Sequence, residues 1–99
     1  MKTNDEITKV IFRKWSNGDI VALFPEEPSD NQGYFCQSYM HVGQGGGADP
    51  RLVHTTKLAT PAEYADLFDE LERLGYKMQI VHKFPNKALH TRRAKLFPA

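Results

Sequence analysis

The sequence has few of the features that cross-link a small protein or insert it into a membrane. Cys36 is the single cysteine among 99 residues, so no disulfide can form within the chain, and nothing indicates an oxidising compartment. No uninterrupted apolar run approaches the ~20 residues that span a bilayer. The polar residues 1–9 lack the apolar core of a secretory signal. We therefore expect a soluble, cytoplasmic protein that makes no contact with a membrane.

An excess of charge of either sign is also missing from the chain as a whole, where the formal net charge is +1. The charges are nevertheless unevenly placed. Residues 83–99 hold five basic side chains and no acidic one, which leaves eight bases against twelve acids in the rest. A basic tail on an acidic body can contact nucleic acid or fold onto its own domain or a neighbour's. We predict a single domain over residues 1–85 and a basic tail, 86–99, that is helical or docks on a neighbour.

Residues 7–15 and 19–24 are rich in β-branched and aromatic side chains and predict a β-hairpin. The Asn17-Gly18 pair between them favours a two-residue turn with positive φ at both positions. That turn would pair Trp15 with Ile20 and Phe12 with Leu23. Both faces of the hairpin carry large apolar side chains, so we expect each face to need a cover. The C-terminal tail, residues 43–60 or a second copy of the chain could supply the second cover.

Residues 34–42 alternate as a third strand, with Cys36 and Met40 on one side and Tyr39 on the other. We expect the glycine-rich residues 43–49 to end this strand in a turn with positive φ. Residues 51–57 predict a short fourth strand or, because Asp49-Pro50 can begin one, a helical turn. Residues 25–33 have the composition of a polar loop.

The clearest helix prediction in the sequence covers residues 60–74. Thr60 is the predicted N-cap, Pro61 occupies the first turn and Glu63 completes a capping box. The predicted buried stripe consists of Tyr64, Leu67, Phe68, Leu71 and Leu74. Residues 76–84 predict the closing strand, and residues 87–97 have weak helical character. The fold class is therefore α+β: a mostly antiparallel sheet of four to five strands with one amphipathic helix on a face, in the order β-β-β-(β)-α-β.

Catalytic, metal and cofactor sites find little support in the pattern. Cys36 and His41 are five residues apart on a strand and so point to opposite faces, and no metal-ligand spacing links them to His54. The glycine run lacks both the Gly-Lys-Ser/Thr ending of a phosphate loop and a following helix. We predict no catalytic residue, no metal and no cofactor, and expect that the chain is not an enzyme.

Two surfaces remain as candidate binding sites. The first is a ligand site at the strand end beside the glycine run, formed by Tyr39, His41, Gln44 and His54. Its alternative is that Phe35 and Tyr39 belong to the core and His41 is hydrogen-bonded locally. The second is a nucleic-acid site over residues 82–95, formed by Lys83, Lys87, Arg92, Arg93 and Lys95. The acids of the helix could instead be the partners of these basic residues.

Three segments, FRKWSNGDIVALFP, SYMHVGQGGGADP and TPAEYADLFDELERLGY, resemble a family of small uncharacterised bacterial proteins, often encoded in phage-like or mobile elements. The resemblance covers residues 10–81. It implies an intracellular accessory role, with no activity, cofactor or site residue attached.

Three functions follow, in order of preference. The first is a small non-enzymatic binding or interaction protein that forms a homo-oligomer or binds a protein partner. The alternative is a nucleic-acid-associated accessory factor that uses the basic tail. The third is a small enzyme centred on His41.

Overall fold

The architecture is an α+β domain, as predicted, in a computed structural model that describes residues 7–40 and 45–97. The strands are β1 Thr8–Lys14, β2 Ile20–Pro28, β3 Cys36–Tyr39, β4 Gly45–Ala48, β5 Lys57–Leu58 and β6 Met78–Ile80. The helices are a 3₁₀ helix, Pro50–His54, and two α-helices, α1 Pro61–Arg73 and α2 Ala88–Leu96. No helix within these residues is long and apolar enough to cross a membrane.

One sheet contains the six strands of the described residues: five lie in the order β4-β3-β2-β1-β5, and β6 pairs with β1 outside this order. The outer side of β1 is shared between two partners. β5 pairs antiparallel with Arg13 and Lys14, and β6 pairs in parallel with residues 8–10. The predicted closing strand over residues 76–84 is therefore reduced to the three residues of β6, and every other pairing is antiparallel.

The β1–β2 hairpin closes through a three-residue loop, and the predicted two-residue turn is wrong. The Trp15 N–H donates to the Asp19 carbonyl at 2.9 Å, and the Gly18 N–H donates to the Trp15 carbonyl at 2.9 Å. Gly18 has a φ of 95°, which fits a three-residue hairpin loop that ends in a residue of positive φ. Phe12 consequently pairs with Ala22, and the predicted pairing of Phe12 with Leu23 is wrong by one residue.

This shift moves every β2 side chain to the face opposite the predicted one, because side chains alternate along a strand. Phe12 shares a buried cluster with Ala22 and Phe24. Val21 and Leu23 lie in the other cluster. The expectation that both faces of the hairpin are apolar is nevertheless confirmed.

Helix α1 covers the sheet face that carries Phe12 and Phe24, which we call the first face. The helix begins as predicted. The Thr60 hydroxyl accepts from the Glu63 N–H at 3.3 Å, and the Glu63 carboxylate accepts from the Thr60 N–H at 2.9 Å. Leu67 and Leu71 are buried against the sheet. Leu74 was expected in this stripe but is 57% exposed, because the helix ends at residue 73 and the chain turns away.

The second face is covered by the chain itself. Leu52 and Val53 of the 3₁₀ helix and Val81 and Phe84 after β6 pack against its cluster, and α2 packs on β2. The uncovered face that motivated the predicted homo-oligomer is therefore absent from the described residues, and the homo-oligomer stays a prediction. Two structures were predicted for residues 51–57, a strand or a helical turn. The helical turn is correct for residues 51–54, because Asp49 caps a helix that begins at Pro50.

Residues 45–48 of the glycine run form a strand, and the prediction of a turn is wrong for them. These residues pair antiparallel with β3, and positive φ among the described glycines occurs at Gly18, Gly33 and Gly75. Steric crowding explains why one residue of the run is glycine. A Cβ at Gly47 would lie 2.5 Å from the Ser29 hydroxyl, whereas a Cβ at Gly46 would meet no atom within 4 Å. Gly43 lies outside the described residues.

The positive φ of Gly18 gives the first prediction. We expect Gly18→Ala to lower the free energy of unfolding by about 1 kcal/mol, because a Cβ is strained in this region. Gly18→Asn should cost less, since asparagine enters positive φ more readily. Urea denaturation of both variants measures the difference. Equal losses for the two variants would contradict the loop geometry.

Candidate functional site

Arg92, a predicted nucleic-acid-binding residue, is buried, with 4% of its surface exposed. Its Nε donates to the Gly33 carbonyl at 2.7 Å and its Nη1 donates to the Pro25 carbonyl at 2.6 Å. Burial lowers the pKa of this guanidinium. Arg92 thus joins α2 to both ends of the polar segment 25–33, and it cannot reach a phosphate without leaving these carbonyls.

Two further tail cations also contact the same segment. The Arg93 Nε donates to the Gln32 carbonyl at 3.1 Å, and its guanidinium carbon lies 4.8 Å from the centre of the Tyr34 ring, a cation–π contact. Lys95 pairs with Glu27. The sequence offered the acidic residues of α1 as alternative partners of the tail. Arg93 and Lys95 instead contact Gln32, Tyr34 and Glu27.

Lys83 and Lys87 are exposed before α2. The five predicted cations are therefore not presented together: three contact their own chain, and two face solvent.

The predicted ligand residues are only partly described. His41 and Gln44 lie outside the described residues. Tyr39 is half-buried on the α1 face of the sheet, and its hydroxyl is hydrogen-bonded to Glu70 of α1. His54 is exposed at the end of the 3₁₀ helix that covers the opposite face. The structure does not bring Tyr39 and His54 together.

Cys36 is a buried hydrophobic residue, which confirms its interpretation as a core side chain. Burial raises the pKa of its thiol to about 11, although the nearby Arg92 charge opposes that shift. A thiol with this pKa is not a nucleophile near neutral pH. Within residues 7–40 and 45–97, no three His, Cys, Asp or Glu side chains are grouped so that they could hold a metal ion.

The hydrogen bonds of β1 determine which backbone groups face each way across the sheet. The Val81 N–H donates to the Val10 carbonyl, and the Ala59 N–H donates to the Phe12 carbonyl. Even-numbered residues of β1 therefore point their backbone groups away from β2, and odd-numbered residues point towards it. The registers of β1 with β2, β2 with β3 and β3 with β4 then determine which backbone groups of β4 point towards β3 and which point outward.

At β4 the alternation turns Gly46 towards β3 and turns Gly45 and Gly47 outward. The Ser38 hydroxyl donates to the Gly46 carbonyl at 2.9 Å, in agreement with that assignment. No described strand pairs with the outer side of β4. We call the outward N–H and C=O groups of Gly45 and Gly47 the β4 edge.

A cavity of about 360 Å³ lies beside this edge on the α1 face. We call it the tyrosine groove; it is lined by Phe24, Pro28, Ser29, Gln37, Ser38, Tyr39, Gly45, Gly46 and Tyr76. The Phe24 and Tyr76 rings stack with centres 5.2 Å apart and planes 10° apart. Tyr39 was predicted as a site residue. Phe24 and Tyr76 were not, because only the tertiary fold brings them beside β3.

Comparisons with protein-family models, curated proteins and solved structures find no significant match. The resemblance to small bacterial proteins stays a prediction, and the site rests on its own geometry.

The buried guanidinium gives the second prediction. Arg92→Leu should lower the free energy of unfolding by about 2–4 kcal/mol, because two buried carbonyls lose their donor. Lys87→Leu, at an exposed position just before the same helix, serves as the control and should change it by less than about 0.5 kcal/mol. Urea denaturation compares the two. Equal stabilities would show that α2 does not depend on Arg92.

The buried thiol gives the third prediction. Its pKa is raised in the folded state, so the unfolded thiol ionises first and the free energy of unfolding should fall as pH rises through about 9 to 11. The total fall attributable to Cys36 should be about 2–3 kcal/mol. Below the unfolded pKa this contribution is constant. Urea denaturation of the wild type and Cys36→Ala across this range isolates it, and parallel pH profiles would contradict the burial of the thiol.

Proposed function

We propose that this protein is a non-enzymatic interaction protein that binds an extended segment of a partner polypeptide along the β4 edge. The observation that carries the proposal is the outward row of backbone groups at Gly45 and Gly47, which no described strand pairs. A peptide that adds to a sheet as a new strand is bound through main-chain hydrogen bonds of this kind. Such a role agrees with the accessory role that the sequence resemblance implies.

The β4 edge lacks most of the devices that keep strands from pairing with other chains. Natural edges are protected by charged side chains, prolines, bulges or very short strands. β4 is short, but Gly45, Gly46 and Gly47 are exposed and place no side chain in the way. The opposite side of the sheet ends differently, in the two residues Lys57 and Leu58 of β5 and the three residues of β6.

A second copy of the chain is a weaker occupant of this edge than a partner of different sequence. Symmetric pairing of two β4 strands would join four residues from each copy, three of them glycines. Stable interfaces bury about 1,200–2,000 Å², and so few side chains cannot approach that area. The predicted homo-oligomer would need another surface.

The other two predicted functions have less support. Arg92, Arg93 and Lys95 contact their own chain, and the two exposed lysines, Lys83 and Lys87, would add only weak, salt-dependent attraction to nucleic acid. The enzyme hypothesis centres on His41, which is outside the described residues.

Panning a displayed random-peptide library on the full chain tests the proposal. The recovered peptide is synthesised, and its Kd is measured for the wild type, Gly45→Pro and Gly45→Ala. Both variants add a Cβ, which would meet only ordinary contacts at 3.6 and 3.8 Å. Proline alone removes the outward N–H, so we expect Gly45→Pro to weaken binding about tenfold. Gly45→Ala should bind like the wild type.

Two results would overturn the proposal. The first is a failure to recover any peptide. The second is a recovered peptide whose Kd is the same for Gly45→Pro and Gly45→Ala. Light scattering over a concentration series, run alongside, shows whether the free protein already associates with itself.

A further inference from the structure

We infer that the tyrosine groove is a specificity pocket for one aromatic side chain of the bound segment. This inference rests on the proposed function, because the groove selects the side chain of a peptide whose backbone the β4 edge holds. The partner is therefore an extended polypeptide segment with a phenylalanine, tyrosine or tryptophan at the position that faces α1.

The walls of the groove are aromatic and are held in place by packing. The Phe24 ring is buried and stacks on Tyr76. The Tyr39 ring is half-buried, and its hydroxyl is fixed by the hydrogen bond with Glu70. Aromatic rings pack favourably against one another in offset-stacked or edge-to-face arrangements. A cavity of about 360 Å³ is at the small end of ligand pockets, which span about 300–1,000 Å³. It suits one large side chain better than a cofactor.

The glycines of β4 open the groove towards the incoming strand. Gly45 lies on the same face as Tyr39, its cross-strand partner, and Gly47 lies on the same face as Gln37. A side chain larger than a methyl group at Gly45 would stand between the groove and the edge, whereas the space over Gly47 is taken by the Ser29 side chain. The absence of a side chain at Gly45 leaves a path from the edge to the Tyr39 ring.

The distances across the sheet favour a long side chain. Neighbouring strands lie about 4.8 Å apart, so a partner residue opposite Gly45 has its Cα about 10 Å from that of Tyr39. An aromatic side chain that leans over Gly45 can reach the Tyr39 ring, whereas alanine cannot. Side chains alternate along the bound strand, so every second residue of the segment faces the groove side.

The same geometry favours a partner peptide over a second copy of this chain as the occupant of the edge and the groove. Pairing β4 with β4 would place glycines, not aromatic rings, beside both grooves. A second copy would therefore leave the groove empty. The occupant that satisfies both the edge and the groove is a segment of another polypeptide.

A guest series tests the inference. Fluorescent, acetylated heptapeptides of threonine carry phenylalanine, leucine, alanine or glutamate at the centre, and fluorescence anisotropy gives their Kd for the full chain. We expect phenylalanine to bind about tenfold more tightly than alanine, because its ring leaves water on binding. Glutamate should bind no better than alanine, since the Glu70 carboxylate lies at Tyr39.

Two variants locate the selectivity without disturbing the aromatic core. Gly45→Leu projects a side chain on the groove side, where its Cβ would meet Tyr39 Cδ2 at 3.8 Å. It should abolish the preference for phenylalanine over alanine. Lys57→Leu adds the same side chain at an exposed position of β5, at the opposite edge of the sheet, and should keep the preference.

The failures are distinguishable. Equal binding of the phenylalanine and alanine guests, with loss of binding when alternate peptide amides are N-methylated, would overturn the groove inference and leave the edge proposal standing. A phenylalanine preference that N-methylation does not weaken would overturn the edge proposal, and with it the peptide as ligand. Acetyl-phenylalaninamide binding as tightly as the heptapeptide would assign the groove to a small molecule and overturn the inference. No binding of any guest would overturn both.

Discussion

The hairpin pairing of β1 with β2 is the constraint on which the rest of the structure depends. Its register places Phe12 and Phe24 on one face and Ile11 and Leu23 on the other, so the two central strands are apolar on both sides. Burying such a sheet requires two covers. The chain supplies α1 for the first face. For the second it uses a 3₁₀ helix and the segment after β6, with α2 anchored on β2.

The anchoring of α2 is unusual in its chemistry. Most surface helices bury an apolar stripe, but α2 is rich in cations and is held at Arg92 by two backbone carbonyls. The pairing of β2 with β3 is interrupted between Phe24 and Pro28, which leaves the Pro25 carbonyl to accept from Arg92. Three of the five basic residues, Arg92, Arg93 and Lys95, thus contact the polar segment 25–33 of their own chain, whereas Lys83 and Lys87 face solvent.

Local signals in the sequence predicted the elements they govern directly. The capping box at Thr60 and Glu63 gave the start of α1, and alternation placed Cys36 and Tyr39 on opposite faces. The Asn17-Gly18 pair identified the hairpin but not its loop length, since a two-residue and a three-residue loop both accept a glycine of positive φ. The glycine run carried no signal for a strand, because glycine is depleted in strands. Only its pairing with β3, and the approach of Ser29 to Gly47, account for it.

At the strand of residues 45–48, the sequence that would give the most stability differs from the one that the proposed binding needs. A strand interior made of glycine is weak, because glycine loses the most conformational freedom on ordering and has no side chain to pack. A sequence optimised only for stability would place β-branched residues there. Such side chains at Gly45 would fill the path to the Tyr39 ring, and at Gly47 they would collide with Ser29. The glycines thus keep the backbone accessible and the tyrosine groove open at the same edge, which is the arrangement that recognition of an extended segment requires.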